Sequence, residues 1–316
     1  MSMRILVTGS NGFVGRHLCI RLESLGHEVL RSDLGAGDGG EVYFDCDIAD
    51  SSAVDSLVEW AGHLDAVVHL AAVTFVPDSQ TDPARVMDVN LRGTIHLIDA
   101  VKRYVSGTRF LYVSSAEVYG PPATLPVDEE HQLNPQNPYA ISKAAADQYC
   151  AYAQRSGDLD IVRMRPFNHS GPGQSDSFVL SSFGRQISEM EIGQAEPVLR
   201  VGNLDSERDF LHVDDVVEAY VRALDAGESG AVYNICSGVA RSIQSALDGL
   251  LELAEVKVEI QVDANRVRGT EVACVYGSAE RFTRLTGWQP EKSFEALLED
   301  TLEYWRGQLP PRHTSK

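Results

Sequence analysis

The stretch Ile5-Leu6-Val7-Thr8-Gly9-Ser10-Asn11-Gly12-Phe13-Val14-Gly15 constrains the fold more than any other. A short apolar run enters a glycine-punctuated turn, and Arg16 to Leu25 then carries a helical pattern. Strand, glycine-rich turn and helix in that order open a βαβ unit whose turn can lie against a pyrophosphate. Gly9 permits the tight turn, Gly12 the close approach of a phosphate, and Gly15 the packing of helix on strand. Asn11, Phe13 and Val14 belong to the same cradle, and the helix N-terminus adds N–H donors and a positive dipole end. The spacing is GxxGxxG, with Asn11 where the more familiar pattern has its second glycine.

The next segments extend the same sheet. A second strand, His27 to Ser32, ends at Asp33, where a carboxylate can accept both hydroxyls of an adenosine ribose and repel a 2′-phosphate. That favours NAD(H), although Arg31 nearby leaves NADP possible. Val42 to Ile48 reads as a third strand, with Asp47 and Ile48 placed to meet the adenine. Ala66 to Ala72 is a fourth, a near-continuous apolar run of the buried parallel kind, ending in Leu70-Ala71-Ala72 where a cofactor can lie close to the backbone. His69 inside that run reads as a packed core histidine. A helical stretch, Val86 to Tyr104, carries Asn90, whose side chain can order backbone or water beneath the site. Phe110 to Val113, the fifth strand, delivers Ser114-Ser115-Ala116-Glu117-Val118-Tyr119-Gly120 at its C-terminal end, where doubly wound sheets bind ligands. Ser115 is placed to hydrogen-bond a reacting carbonyl, with Ser114 as the next choice.

Tyr139-Ala140-Ile141-Ser142-Lys143 then sets a phenol and an ammonium one helical turn apart on one face. A free tyrosine, with a pKa of about 10, is a poor acid or base at neutral pH. A lysine beside its oxygen is expected to lower that pKa. By itself the same stretch is also an ordinary helix start after Asn134-Pro135-Gln136-Asn137-Pro138.

Bulk properties narrow the partners. In 316 residues, 27 basic against 46 acidic side chains leave a net charge of −19. Such a surface disfavours nucleic-acid backbones and anionic membranes, so a phosphate-bearing ligand needs locally placed arginines and backbone N–H groups. No apolar run approaches the roughly 20 residues that span a bilayer. The chain opens directly on a strand with no signal peptide, and the five cysteines show neither paired nor metal-ligand spacing, which reads as reduced thiols in the cytoplasm. No metal site is expected.

Taken together, Gly9-x-x-Gly12-x-x-Gly15, Asp33, Leu70-Ala71-Ala72, Ser114 to Gly120 and Tyr139-x-x-x-Lys143 resemble, in order, the extended short-chain dehydrogenases/reductases that act on nucleotide sugars. The resemblance spans nearly the whole chain and implies Ser115, Tyr139 and Lys143 as catalytic. Tyr139 would exchange a proton with a sugar oxygen, Lys143 would hold the nicotinamide ribose, and Pro166 would contact the cofactor. Downstream, Arg165-Pro166-Phe167-Asn168-His169-Ser170-Gly171-Pro172-Gly173-Gln174 is similar to a segment of GDP-4-keto-6-deoxy-mannose reductases, as are Thr74-Phe75-Val76-Pro77 and Asp176-Ser177-Phe178-Val179. Gly202-Asn203-Leu204-Asp205-Ser206-Glu207-Arg208-Asp209 is similar to a segment shared by GDP-sugar dehydratases and reductases. The resemblance therefore implies a GDP-linked 4-keto-6-deoxy sugar touching Thr74, Ser115, Glu117, Asn168, Arg185, Asn203, Arg208, Arg268 and Glu271. In Arg266-Val267-Arg268-Gly269-Thr270-Glu271, Gly269 stands where the family has proline. Ser115-Ala116-Glu117 keeps one carboxylate but lacks the Asp-Glu pair of some dehydratases, so Glu117 reads as a substrate acceptor.

The expected architecture is α/β, a doubly wound parallel sheet of Rossmann type with a smaller C-terminal α/β substrate domain. Residues 1–166, with a return segment at about 211–236, form the dinucleotide-binding domain; 167–316 form mainly the substrate domain. The expected activity is NAD(P)H-dependent reduction of the sugar C4 ketone by a homodimer. Rivals are an epimerase or 4,6-dehydratase with tightly bound NAD, and a non-catalytic dinucleotide-binding redox sensor.

Overall fold

Apolar strands buried on both faces draw the early and middle chain into a parallel sheet. The computed structural model describes residues 2–35, 42–157, 159–263 and 272–309. In chain order come β1 (Arg4–Thr8), α1 (Phe13–Ser24), β2 (Glu28–Asp33), β3 (Tyr43–Asp45), α2 (Ser51–Ala61), β4 (Ala66–His69), α3 (Val76–Thr81) and α4 (Pro83–Met87). A π-helical turn at Asp88–Arg92 leads into α5 (Gly93–Tyr104), then β5 (Arg109–Val113), a 3₁₀ turn at Ala116–Tyr119, α6 (Pro138–Arg155) and β6 (Asp160–Pro166). The remainder is β7 (Asn168–Ser170), α7 (Val179–Glu191), β8 (Val198–Val201), β9 (Glu207–His212), α8 (Val213–Ala226), β10 (Val232–Ile235) and β11 (Ala240–Ser242). It closes with α9 (Ile243–Leu253), β12 (Glu259–Val262), β13 (Cys274–Val275), α10 (Glu280–Thr286) and α11 (Phe294–Gln308).

The main sheet has seven strands in the order β10-β6-β5-β4-β1-β2-β3, all parallel. Its strand order reverses at β1, and the C-terminal strand ends there face the crevice where such sheets hold ligands. One face is covered by α1, α8 and α10 through Leu18, Leu22, Val216, Tyr220 and Phe282. The other carries α2, α5 and α6 through Leu57, Val58, Leu97, Ile98 and Ala146. Each fully buried aliphatic side chain contributes about 1.5–3 kcal/mol, which fixes the helices to both faces. The late strand Val232–Ile235, within the return segment expected at about 211–236, pairs with Arg163–Pro166.

A third core joins α7, α9 and α11 through Phe183, Ile187, Leu247, Leu250, Leu298 and Leu302. Small β-pairings edge it: β8 with β12, and β7, β11 and β13 with β9.

Three elements differ from the sequence reading. The third strand stops at Asp45, because Asp47 turns the chain by accepting from Ala49 N, and Asp50 then caps α2. The fourth strand stops at His69, since the Gly9 turn presses against Ala71, leaving only 2.6 Å between its nitrogen and a β-carbon built at Gly9. The long helix begins earlier, at Pro83, and widens to a π turn that holds Asn90. That widening aims the Asn90 carboxamide at neighbouring backbone rather than along the helix.

Candidate active site

A single continuous cavity of about 1410 Å³ runs from the glycine-rich turn across the C-terminal strand ends to α7 and the loop after β8. It begins at Gly9, Gly12, Phe13, Val14 and Gly15. Gly9 has φ +74°, a left-handed value that side chains disfavour. At Gly15 a β-carbon would lie 2.1 Å from Gly9 O, so α1 packs on the turn only without one. At Gly12 the nearest neighbour of such a carbon is Gly9 O at 3.1 Å, which leaves that backbone open towards the cavity. The first turn of α1 has no side-chain cap and no acidic residue, as suits a helix end facing an anion. These residues fit a dinucleotide pyrophosphate.

Asn11 differs from expectation. It does not line the cavity; its N–H donates to Asp33 Oδ2 at 2.8 Å and its amide to Tyr43 OH at 3.3 Å. Its work is to hold the Asp33 carboxylate, which also accepts from Leu34 N at 2.8 Å. Asp33, Asp47, Ile48, Leu70, Ala71 and Ala72 all line the cavity, with Arg85 ion-paired to Asp47. Asn90 is fully enclosed and off the wall. It accepts from Val73 N at 2.8 Å and donates to Val73 O at 3.0 Å and Ser142 Oγ at 2.9 Å. Asn90 therefore acts on the site through Val73, tying the loop after β4 to the helix that carries Lys143. His69 is a core residue, bonded to Thr8 and Thr94 and pushed down to about 3 by burial and then by the Lys143 charge.

Ser115, Glu117, Tyr139, Lys143 and Pro166 share the same wall. Asn137 caps α6 and Pro138 opens it, so the first turn presents Tyr139 and the second Lys143. Ser115 Oγ caps the 3₁₀ turn by accepting from Glu117 N at 3.2 Å. The Tyr139 phenol is buried and pushed up to about 12, chiefly by desolvation; the Ser115 hydroxyl opposes the shift and the Glu117 charge adds to it. This corrects the expectation that Lys143 lowers the phenol. The ammonium instead donates to Val113 O at 2.8 Å, lies 5.3 Å from the Tyr112 ring centroid, and is itself pushed down to about 8 by burial. The trio as it stands holds a protonated phenol, an acid rather than a base.

Beyond the trio, Thr74, Asn168, Asn203 and Arg208 line the cavity. Arg208 donates to Glu207 O and Val272 O, and Asn203 bonds Ser206 Oγ and Asp205 N within its turn. Arg185 also lines it, but its guanidinium pairs with Asp176 and Glu189, so it brings no uncompensated positive charge. That weakens its assignment to a diphosphate. Arg268 and Glu271 lie outside the described residues. The sequence reading passed over Phe75 and Phe178, whose rings meet edge to face at 5.9 Å on the cavity wall. Both stand in segments already singled out, and the lone aromatic in each was the available signal. Among the described residues no cluster of His, Cys, Asp or Glu could hold a metal, and no helix is long and apolar enough to cross a membrane.

Residues 5–236 match the NAD dependent epimerase/dehydratase family. The chain is 41% identical over 312 residues to GDP-6-deoxy-D-mannose reductase of Pseudomonas aeruginosa, covering 98% of this chain and 99% of the relative. The structure of RMD from Pseudomonas aeruginosa complexed with NADPH superposes with a TM-score of 0.87 at 40% identity, covering 98% of this chain and 100% of that one. A UDP-glucose 4-epimerase of Thermus thermophilus, complexed with NAD, gives 0.85 at 28% identity, covering 97% and 100%. With the glycine turn, the Ser-Tyr-Lys wall and the return strand all in one coextensive match, the chain belongs to the NAD-dependent epimerase/dehydratase family.

Proposed function

We propose that this protein reduces the C4 ketone of GDP-4-keto-6-deoxy-D-mannose with NAD(P)H, giving GDP-D-rhamnose. The observation that carries the reading is that Ser115, Tyr139 and Lys143 stand together on the wall of a cavity that begins at the dinucleotide turn. The choice of sugar rests on the likeness to a GDP-6-deoxy-D-mannose reductase.

Reduction of a ketone consumes one hydride and one proton. When bound, the reduced nicotinamide supplies the hydride; Gly9, Gly12, Asp33, Leu70 to Ala72 and Pro166 are assigned to hold the dinucleotide. Ser115 donates a hydrogen bond to the ketone oxygen as charge develops on it. Tyr139 then passes its proton to that oxygen. A phenol is protonated at neutral pH, and burial pushes this one further that way; it is the form that a reductase needs at the start of turnover. The phenolate left behind is reprotonated from solvent, and Lys143 is assigned to the nicotinamide ribose. Glu117, within 3.4 Å of the Asn137 amide, accepts from a sugar hydroxyl. Asn168, Asn203 and Arg208 are assigned to the nucleoside diphosphate. Residues 1–166 with about 211–236 serve as the dinucleotide-binding domain and the rest as the substrate domain.

Two further assignments go with this reading. A homodimer would pair α5 and α6, where Ile141 (43% exposed) and Tyr152 (58%) on α6 and Tyr104 (39%) on α5 are exposed. A cytoplasmic location suits the five unpaired cysteines, four of them buried.

The test is incubation with enzymatically made GDP-4-keto-6-deoxy-D-mannose and NADPH or NADH. Stoichiometric loss of nicotinamide absorbance with GDP-D-rhamnose as product is expected. A purified protein that carries stoichiometric nicotinamide and oxidises none of the added NAD(P)H would instead be an epimerase or dehydratase. A talose product would leave the reductase standing and overturn the stereochemistry.

A further inference from the structure

Directly beneath the Ser-Tyr-Lys wall lies a buried ionic network that none of the assigned roles uses. Asp147 follows Lys143 by one turn of α6 and is fully enclosed. Its carboxylate accepts from Arg163 Nη1 at 2.8 Å and from Arg165 Nε and Nη2 at 2.9 and 3.0 Å. Arg165 Nη1 continues to Tyr119 OH at 2.9 Å, and the guanidinium lies 5.0 Å from the Tyr119 ring centroid. Tyr119 OH in turn donates to Asn234 Oδ1 at 2.8 Å, and Asn234 Nδ2 to Val127 O at 3.0 Å.

The chain segments that this network joins are the ones that bear the reacting groups. Asp147 belongs to α6, with Tyr139 and Lys143. Tyr119 ends the 3₁₀ turn that starts after Ser115 and contains Glu117. Arg165 immediately precedes Pro166 at the end of β6, and Asn234 sits in the return strand β10. A planar guanidinium with fixed donor directions is suited to set the relative placement of three backbones, because it bonds a carboxylate on two sides and a phenol on a third.

We propose that Arg165, with Asp147 and Tyr119, is a positioning device for the reaction: it sets the spacing between Ser115 on the 3₁₀ turn and Tyr139 on α6. The proposal rests on the functional reading given above, in which those two oxygens bracket the ketone. Loss of the link would let the 3₁₀ turn and α6 separate, and catalysis is far more sensitive to such small displacements than binding is. Most binding contacts, along the dinucleotide turn and at the far end of the cavity, lie on other segments and stay in place; Glu117, Lys143 and Pro166 share the linked ones.

The experiment uses Tyr119→Phe, which removes one hydroxyl and keeps the ring, and Arg165→Lys, which keeps a charge but not the fork. In Tyr119→Phe, kcat is expected to fall about tenfold and in Arg165→Lys about a hundredfold, with KM for both substrates within about twofold of wild type. A primary isotope effect from C4-deuterated NADPH should rise in both, since hydride and proton transfer become slower relative to product release. If instead the melting temperature falls while kcat of the folded enzyme and the isotope effect stay unchanged, the network is a stability element only and the proposal fails. A crystal structure of Tyr119→Phe needs no substrate and separates the two readings. An increase of about 0.5 Å in the Ser115–Tyr139 oxygen separation supports positioning whatever the sugar is. An unchanged separation overturns it even if the wild type proves active on the proposed ketone.

Discussion

Replacing Gly15 and Gly12 separately by alanine should split stability from dinucleotide affinity. At Gly15 the added carbon would sit 2.1 Å from Gly9 O, 2.8 Å from Ser10 Cα and 2.9 Å from Gly9 C, all backbone atoms of the tight turn. Ordinary contact needs roughly 3.5 Å, so α1 must shift by more than an ångström or the turn must open. Helix α1 cannot slide freely, because Leu18 and Leu22 are fully buried against the sheet. Overpacking of this kind costs about 3 kcal/mol, the upper part of the usual range. For a chain of this length that lowers the melting temperature by about 4–5 °C. At Gly12 the sole close neighbour is Gly9 O at 3.1 Å, and the backbone sits at φ −66°, which alanine accepts. Stability without ligand should therefore change by less than about 1 kcal/mol. The methyl group would instead occupy space assigned to a phosphate. With NADPH at a hundred times its wild-type Kd, ligand stabilisation is about 2.7 kcal/mol; a hundredfold loss of affinity reduces it to about 0.4 kcal/mol. Calorimetry with and without NADPH reads both numbers. An unshifted melting temperature in Gly15→Ala, or a full NADPH shift in Gly12→Ala, would refute the steric reasoning.

Tyr139→Phe should lower kcat by about 10²–10⁴-fold with NADPH affinity retained, as measured by fluorescence titration; normal turnover would remove Tyr139 from the chemistry. The pH dependence follows from Lys143, whose ordinary pKa of 10.5 is depressed to about 8 by burial. Its cation is lost as pH rises through about 8, so kcat/KM should fall on that limb, whereas Tyr139 stays protonated until about 12 and adds nothing there. The sign for stability is opposite: the buried cation penalises the folded state below about 8, and the penalty eases as pH rises from there toward 10.5. A flat profile between pH 7 and 9 would contradict it. Asp33→Asn keeps an acceptor for Asn11 N while removing the charge, and should raise the NADPH-to-NADH preference by about tenfold in kcat/KM, roughly 1.4 kcal/mol; an unchanged ratio would place discrimination elsewhere.

Much of the fold was legible because its signals are local. Ile5 to Gly15 encodes strand, turn and helix within one short window, and Ala66 to His69 carries the unbroken apolar run of a strand buried on both faces. Tyr139 and Lys143 could be paired because a helix alone puts them on one face. What sequence misjudged depends on packing across distant segments. The phenol's raised pKa follows from burial under elements scattered along the chain. The Arg185 pairs, by contrast, are local: Glu189 follows it by four residues on α7 and Asp176 lies just ahead of that helix, so they were there to be read. Asn11 and Asn90 were placed in the right region, yet each works through another residue: Asp33 for the first and Val73 for the second. The Asp147–Arg165–Tyr119 link joins residues 18 and 46 positions apart and leaves no spacing pattern to read.

The return strand carries a consequence for synthesis of the chain. Val232–Ile235 covers the outer edge of β6, and the family match likewise ends at residue 236. Any nascent or truncated chain stopping at residue 166 would show Arg163–Pro166 as a bare parallel edge, open to pairing with other chains. A ribosome must therefore add some seventy residues, including α7, α8 and β9, before the nucleotide-binding sheet can close. The two halves are thus committed to maturing together, and cutting the gene at the apparent midpoint should yield aggregates rather than a working cofactor module.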